Sequence, residues 1–312
     1  MIAFLFPGQG SQSVGMGRAF AEQFPECRQT FEEADAALGG PLSELIFNGP
    51  AETLTLTENA QPAILTVSIA ACRLLSARSI TPTMVAGHSL GEYSAHVAAG
   101  TMAFADAVRV VRNRGRYMQE AVPVGVGAMA AILGLEAEKV ADACRDAAQG
   151  EVVSPANLNA PGQVVIAGTA AAVGRASARA RELGARRAIP LQVSAPFHCA
   201  LMKPAEQRLT PELRTLRVDS PRIPVVANVD ALPKQDADAS IDALIRQVAS
   251  PVRWEDVIRR MVADGMTTFI EVGPGSVLSG LGKKIAPQAA FASFTAPDQL
   301  ADLERVIKTP IS

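Results

Sequence analysis

The stretch Gly87-His88-Ser89-Leu90-Gly91 decides how this chain is read. It is a G-x-S-x-G pentapeptide set between two elements of the right kind. Before it, Thr83-Met84-Val85-Ala86 predicts a short buried strand; after it, Glu92 to Ala99 predicts a helix. A serine at such a strand-to-helix turn is held in a sharp bend with its hydroxyl exposed. The flanking glycines let strand and helix close on one another. The helix N-terminus turns free N–H groups towards any negative charge that develops beside the serine. The pattern predicts covalent acyl chemistry on Ser89.

Outward from this elbow the chain alternates strand and helix. Ile2–Phe6 predicts a buried strand that runs into the loop Pro7-Gly8-Gln9-Gly10-Ser11-Gln12. Helices are expected over 16–38, 58–78 and 103–121, the second carrying Ile64, Val67, Ile69 and Leu74 at helical spacing. Such alternation implies a parallel sheet covered on both faces. The middle of the chain differs. Past the hinge Val122-Pro123-Val124-Gly125-Val126-Gly127, the pattern predicts strand 128–133, helix 137–148, strands 152–158 and 163–168, helix 170–183 and strand 187–192. Pro161-Gly162 marks the turn between the two central strands. The order β-α-β-β-α-β is that of a ferredoxin-like unit. The expected organisation is a large α/β domain from residues 1–124 and 193–312, interrupted by a small domain at 125–192. The large domain resumes with a helix after His198, a short strand at 224–227, helices near 240–249 and 254–264, and a final core strand at 268–272 ending in Gly273-Pro274-Gly275.

Composition bounds the function. The chain has 312 residues, 48% hydrophobic and 19% charged, enough for a sizeable core. A net charge of −2 gives no basic field for nucleic acid or an anionic membrane, and 4% aromatic content offers no base-stacking platform. No apolar run reads as long enough to span a membrane. The apolar start Met1–Phe6 lacks a basic flank and reads as a core strand, not a signal peptide. Cys27, Cys72, Cys144 and Cys199 are widely spaced, with no CxxC pair, so neither a metal site nor a disulfide framework is expected, and free thiols fit a reducing cytoplasm.

Ser89 needs a base, and the chain offers three histidines. His88 adjoins Ser89 in a tight turn, where neighbouring side chains diverge. His96 lies seven residues on, roughly 10 Å up a helix axis. Both read as structural, and His198, in Pro196-Phe197-His198-Cys199, remains. An oxyanion must also be held. The Leu90 N–H is the expected first donor, and the Gly8-Gln9-Gly10 loop can supply a second. Arg114 and Arg116 share a helix; a buried arginine would hold a carboxylate bidentately, although spacing alone makes either a surface charge.

Together these pieces resemble the malonyl-CoA:acyl-carrier-protein transacylase family over nearly the whole chain. The matching motifs are Phe6–Gln12, Gln61-Pro62-Ala63, Gly87–Glu92, Arg114-Gly115 with Met118-Gln119, Asn157-Leu158-Asn159 with Pro161–Ile166, Phe197-His198-Cys199, Pro251-Val252-Arg253-Trp254 and Glu271–Gly275. The resemblance implies an α/β-hydrolase-like large domain with an inserted ferredoxin-like one. It implies that Ser89 is acylated, with His198 as base oriented by a main-chain carbonyl matching Gln247. Gln9 and Leu90 match the oxyanion donors and Arg114 the malonyl-carboxylate ligand. Phe197 limits space beside the substrate's C2, and His88 and Asn159 join it in the substrate pocket. The implied partners are malonyl-CoA and holo-acyl-carrier protein, with no tightly bound cofactor or metal and a monomeric, cytoplasmic enzyme. One departure is Ser276, where many bacterial members carry lysine; Lys283 and Lys284 lie nearby.

Two alternatives share this chemistry: an acyltransferase serving a polyketide synthase, and a malonyl transferase of a malonate-degrading complex. A serine thioesterase or esterase shares the elbow but ordinarily places its histidine late in the chain. A non-enzymatic carrier-docking module is opposed by the intact Ser89, His198 and Arg114.

Overall fold

The computed structural model describes residues 1–193 and 195–308. Two sheets organise it. The larger has the order β10-β9-β1-β2-β7-β8, with β1 Ile2–Phe6, β2 Met84–Gly87, β7 Val225–Val226, β8 Pro233–Lys234, β9 Thr268–Val272 and β10 Ala290–Phe294. All its pairings are parallel except β7 with β8. Its central strands are buried almost end to end, as strands covered on both faces must be: β9 is buried throughout, Thr268 and Glu271 included, and β1 from Ala3 to Phe6. One face packs on a cluster including Phe4, Phe6 and Ile270, the other on one including Ala3, Leu5 and Phe269, the alternation that a pleated strand imposes.

The smaller sheet is antiparallel, in the order β4-β5-β3-β6, from β3 Gly127–Leu133, β4 Val153–Ala160, β5 Gln163–Thr169 and β6 Arg187–Pro190. Helices Ala137–Ala148 and Ala170–Glu182 complete the ferredoxin-like unit. Ala130, Ile132, Val164 and Ile166 face those helices, whereas Met129, Val165 and Ala167 join the core of the large domain. The unit is thus roofed by its own helices on one side and laid across the large domain on the other. Main-chain hydrogen bonds between Leu158 and Val252 and between Val252 and Ala156 (both 2.9 Å) tie β4 to the segment following Gln247.

Several expectations need correction. The helix over 16–38 is two helices, Arg18–Gln23 and Pro25–Leu38, because Pro25 forces Phe24 into an extended conformation (φ −127°). Strand β9 is not the last: β10 adds in parallel outside it, after a helix at Val277–Ile285. The helix after His198 begins only at Lys203, behind a 3₁₀ turn at Ala200–Met202. Short helices Leu42–Asn48 and Ala51–Thr55 were not anticipated. The helix Thr57–Ala77, of 21 residues, contains an 18-residue stretch of mean hydropathy 1.3 and is by length and composition able to cross a membrane; 83% of that stretch is buried within the protein.

Candidate active site

Strand β2 ends at Gly87 and the next helix begins at Gly91, so Ser89 occupies the bend between them with φ +52°. A non-glycine residue in the left-handed region stores strain and persists only where its surroundings impose it. Here the close approach of strand and helix does so. A Cβ on Gly87 would stand 1.9 Å from the Gly91 carbonyl carbon and oxygen, and one on Gly91 would stand 2.0 Å from the Phe6 carbonyl oxygen. Asn228, just beyond β7, clamps the bend: its Oδ1 accepts from the Ser89 N–H (2.7 Å) and its Nδ2 donates to the Gly87 carbonyl (2.7 Å).

The fold brings His198 to this serine across 109 residues, with Ser89 Oγ 2.7 Å from His198 Nε2. His198 Nδ1 lies 3.0 Å from the Gln247 carbonyl oxygen. A carbonyl can only accept, so Nδ1 carries the proton and Nε2 presents a lone pair to the serine hydroxyl. Burial, and then the charge of Arg114, hold the imidazole far below its ordinary value, at about 3, so it is neutral at neutral pH with its Nε2 lone pair unprotonated.

Arg114 is 1% exposed. Its Nη1 donates to Gln61 Oε1 (2.8 Å), and its Nη2 to Gln247 Oε1 (2.8 Å) and Ser89 Oγ (3.1 Å); the guanidinium lies 5.4 Å from the Tyr93 ring centroid. Nε has no partner among the described residues. Arg116, by contrast, is exposed and bonds Asn113.

A cavity of about 560 Å³ opens over these groups. Gln9, His88, Leu90, Phe197 and, from the small sheet, Met129 line it with the dyad. The N–H groups of Gln9 and Leu90 make no hydrogen bond among the described residues, leaving them free for an oxyanion. Gly8 lets the loop after β1 run this close, since a Cβ there would stand 2.5 Å from the His88 carbonyl oxygen. Asn159 does not line the cavity. Its Oδ1 instead lies 2.9 Å from His88 Nε2, on the far side of a ring that also packs on Trp254, and the asparagine at the cavity wall is Asn157. The bulge between Leu158 and Ala160 is the reason, since regular alternation would turn Asn157 and Asn159 the same way. His96 is buried against Thr101 (3.2 Å), away from the serine.

Sequence reasoning did not foresee Asn228, or the side-chain work of Gln61, Glu92 and Gln247. Gln61 and Glu92 sit inside quoted motifs, which is a signal of sorts. Asn228 carries none, because its role exists only once β7 lies beside β2.

A strained serine, a neutral histidine held by a main-chain carbonyl, free N–H donors and a buried guanidinium meet at one cavity, the parts a serine acyltransferase requires. Residues 3–295 match the family described as acyl transferase domain. The malonyl CoA-acyl carrier protein transacylase of Escherichia coli (strain K12) is 52% identical over 300 residues, 96% of this chain and 97% of that protein. The crystal structure of an acyl carrier protein S-malonyltransferase from Vibrio cholerae superposes with a TM-score of 0.95 at 50% identity, covering 98% of this chain and 99% of that one. A malonyl-transacylase in complex with its holo type II polyketide synthase acyl-carrier protein superposes at 0.94 and 46% identity, covering 97% and 99%. The chain belongs to the malonyl CoA-acyl carrier protein transacylase family of acyltransferase enzymes.

Proposed function

We propose that the protein moves a malonyl group from malonyl-CoA to the phosphopantetheine thiol of an acyl-carrier protein by a ping-pong reaction. Ser89 Oγ attacks the thioester carbonyl while its proton passes to His198 Nε2. The tetrahedral oxyanion is held by the N–H groups of Gln9 and Leu90. Collapse breaks the C–S bond, and the CoA sulfur leaves with the proton from His198. The carrier thiol then gives its proton to His198 and attacks the malonyl-serine ester, and Ser89 Oγ recovers the proton as it leaves. Arg114 holds the malonyl carboxylate, and Phe197 limits the room beside C2. One observation carries this reading: the oxygen 2.7 Å from the histidine base also lies 3.1 Å from a buried guanidinium, so the nucleophile and a carboxylate ligand meet at one atom. His88 serves the pocket as a wall whose ring Asn159 orients, and residues 125–192 act as the inserted unit covering it. The enzyme is proposed to be a cytoplasmic monomer, and its four cysteines are free and buried, as a reducing compartment allows.

The relative solved in complex with a polyketide carrier favours a second reading, in which the carrier belongs to a polyketide synthase. Intact-protein mass spectrometry after malonyl-CoA treatment tests both. Wild type should gain one malonyl group and Ser89→Ala none. Discharge by holo- but not apo-carrier supports transfer, and the faster of a fatty-acid and a polyketide carrier selects the pathway. An adduct that decays equally fast without any carrier would make the protein a hydrolase.

A further inference from the structure

Among the described residues Glu92 is the one carboxylate buried beside Ser89 and His198, fully inaccessible on the first turn of the helix after the elbow. The reaction outlined above gives it no task. Its Oε2 accepts two hydrogen bonds, from the main-chain N–H of Asn228 (3.0 Å) and from Nε2 of Gln247 (2.8 Å). Oε1 has no partner among the described residues. Each neighbour so held grips the site. Asn228 bonds the Ser89 N–H and the Gly87 carbonyl. The Gln247 side chain bonds Arg114 and the Ser89 carbonyl (2.9 Å), and its main chain orients His198. Removing the shared acceptor would leave two buried donors unpaired and release both grips together.

We propose that Glu92 is a positioning residue: one carboxylate oxygen, acting through Asn228 and Gln247, keeps the elbow of Ser89 in register with the Arg114 guanidinium. The role asks only for a well-placed acceptor. Burial, opposed by Gln247 and Asn228, pushes the Glu92 carboxyl up to about 7, and a neutral side chain of the same shape would serve as well. The amide of Glu92→Gln keeps an acceptor at Oε2 and should be close to wild type. Glu92→Asp keeps the carboxylate but falls one methylene short of both donors. Glu92→Ala removes the acceptor.

The inference rests on the transacylase reading for its selectivity arm only, so two readouts are needed. The first is the rate at which a fluorophosphonate labels Ser89, which reports the nucleophile whatever the natural acyl donor. The second is the ratio of Ser89 acylation by malonyl-CoA to that by acetyl-CoA. Circular dichroism establishes that each variant is folded, and Glu92→Asp carries the test if Glu92→Ala is not. In Glu92→Asp and Glu92→Ala labelling should slow by about ten- to a hundredfold, the kinetic equivalent of a buried donor left without its acceptor, with a narrowed malonyl-to-acetyl ratio. Glu92→Gln should restore both. Folded Glu92→Asp that labels at the wild-type rate overturns the proposal, as does Glu92→Gln as slow as Glu92→Asp. If wild type takes no malonyl at all, the transacylase reading fails, while the labelling rates still decide the role of Glu92.

Discussion

Replacing Arg114 by alanine should change what the enzyme selects more than how well its serine reacts. In the structure the guanidinium is enclosed and its bonds go to neutral oxygens of Gln61, Gln247 and Ser89. A malonyl carboxylate would instead receive charge-assisted bonds at about 1.5–3 kcal/mol each. Two of them, held bidentately, contribute about 3–6 kcal/mol, and at 1.36 kcal/mol per tenfold this is about 10²–10⁴ in rate. An acetyl group has no carboxylate to lose. Its acylation should change by less than about tenfold, the change coming from the lost bond to Ser89 Oγ. Single-turnover acylation with malonyl-CoA and acetyl-CoA, followed by intact mass, measures both. Circular dichroism checks that the two glutamine oxygens left without their donor have not cost the fold. The malonyl-to-acetyl ratio should fall by at least about a hundredfold. A ratio within threefold of wild type would refute the assignment of Arg114 as the carboxylate ligand.

Three further outcomes follow from the geometry. With the His198 pKa held far below 6.5 by burial and by Arg114, Ser89 acylation should persist on acidification, the acidic limb of kcat/KM falling below pH 6; a limb centred near 6.5 would mean that His198 is solvated or is not the base. His96 is held neutral by burial, at about 3, so below 6.5 the unfolded chain binds a proton the folded one refuses, and stability is lost as pH falls; from pH 7 to 5 this group alone accounts for about 2 kcal/mol, and urea titrations should find the acid loss smaller by that amount in His96→Gln, the share of His198 remaining. Gly87→Ala should yield no soluble, folded protein, since its Cβ would sit 1.9 Å from backbone atoms that cannot move without breaking the elbow; a folded variant with normal thermal stability would refute the packing argument.

What could be read in the sequence was what local chemistry writes there. The elbow was legible because its glycines and serine are neighbours in the chain, and the ferredoxin-like unit because its apolar periods change from two to 3.6 within one stretch of sequence. Other features are long-range in origin. Nothing near Arg114 distinguishes it from Arg116; what buries one and exposes the other is the face of helix Phe104–Glu120 that packs against helix Thr57–Ala77, from which Gln61 reaches the guanidinium. Strand β10 was missed because Ala290–Phe294 is short and becomes a strand by pairing with β9. Gln247 is the hardest case. Its carbonyl orients His198 only as an acceptor that any residue could supply, so no side-chain preference advertises it. Its amide, however, simultaneously touches Arg114, Glu92 and the Ser89 carbonyl, and few other side chains can donate and accept at that reach. The glutamine is therefore required by its side chain at a position where its main chain bonds the histidine. In the proposed mechanism that is a physical reason for the histidine to need no aspartate: one residue holds both His198 and Arg114.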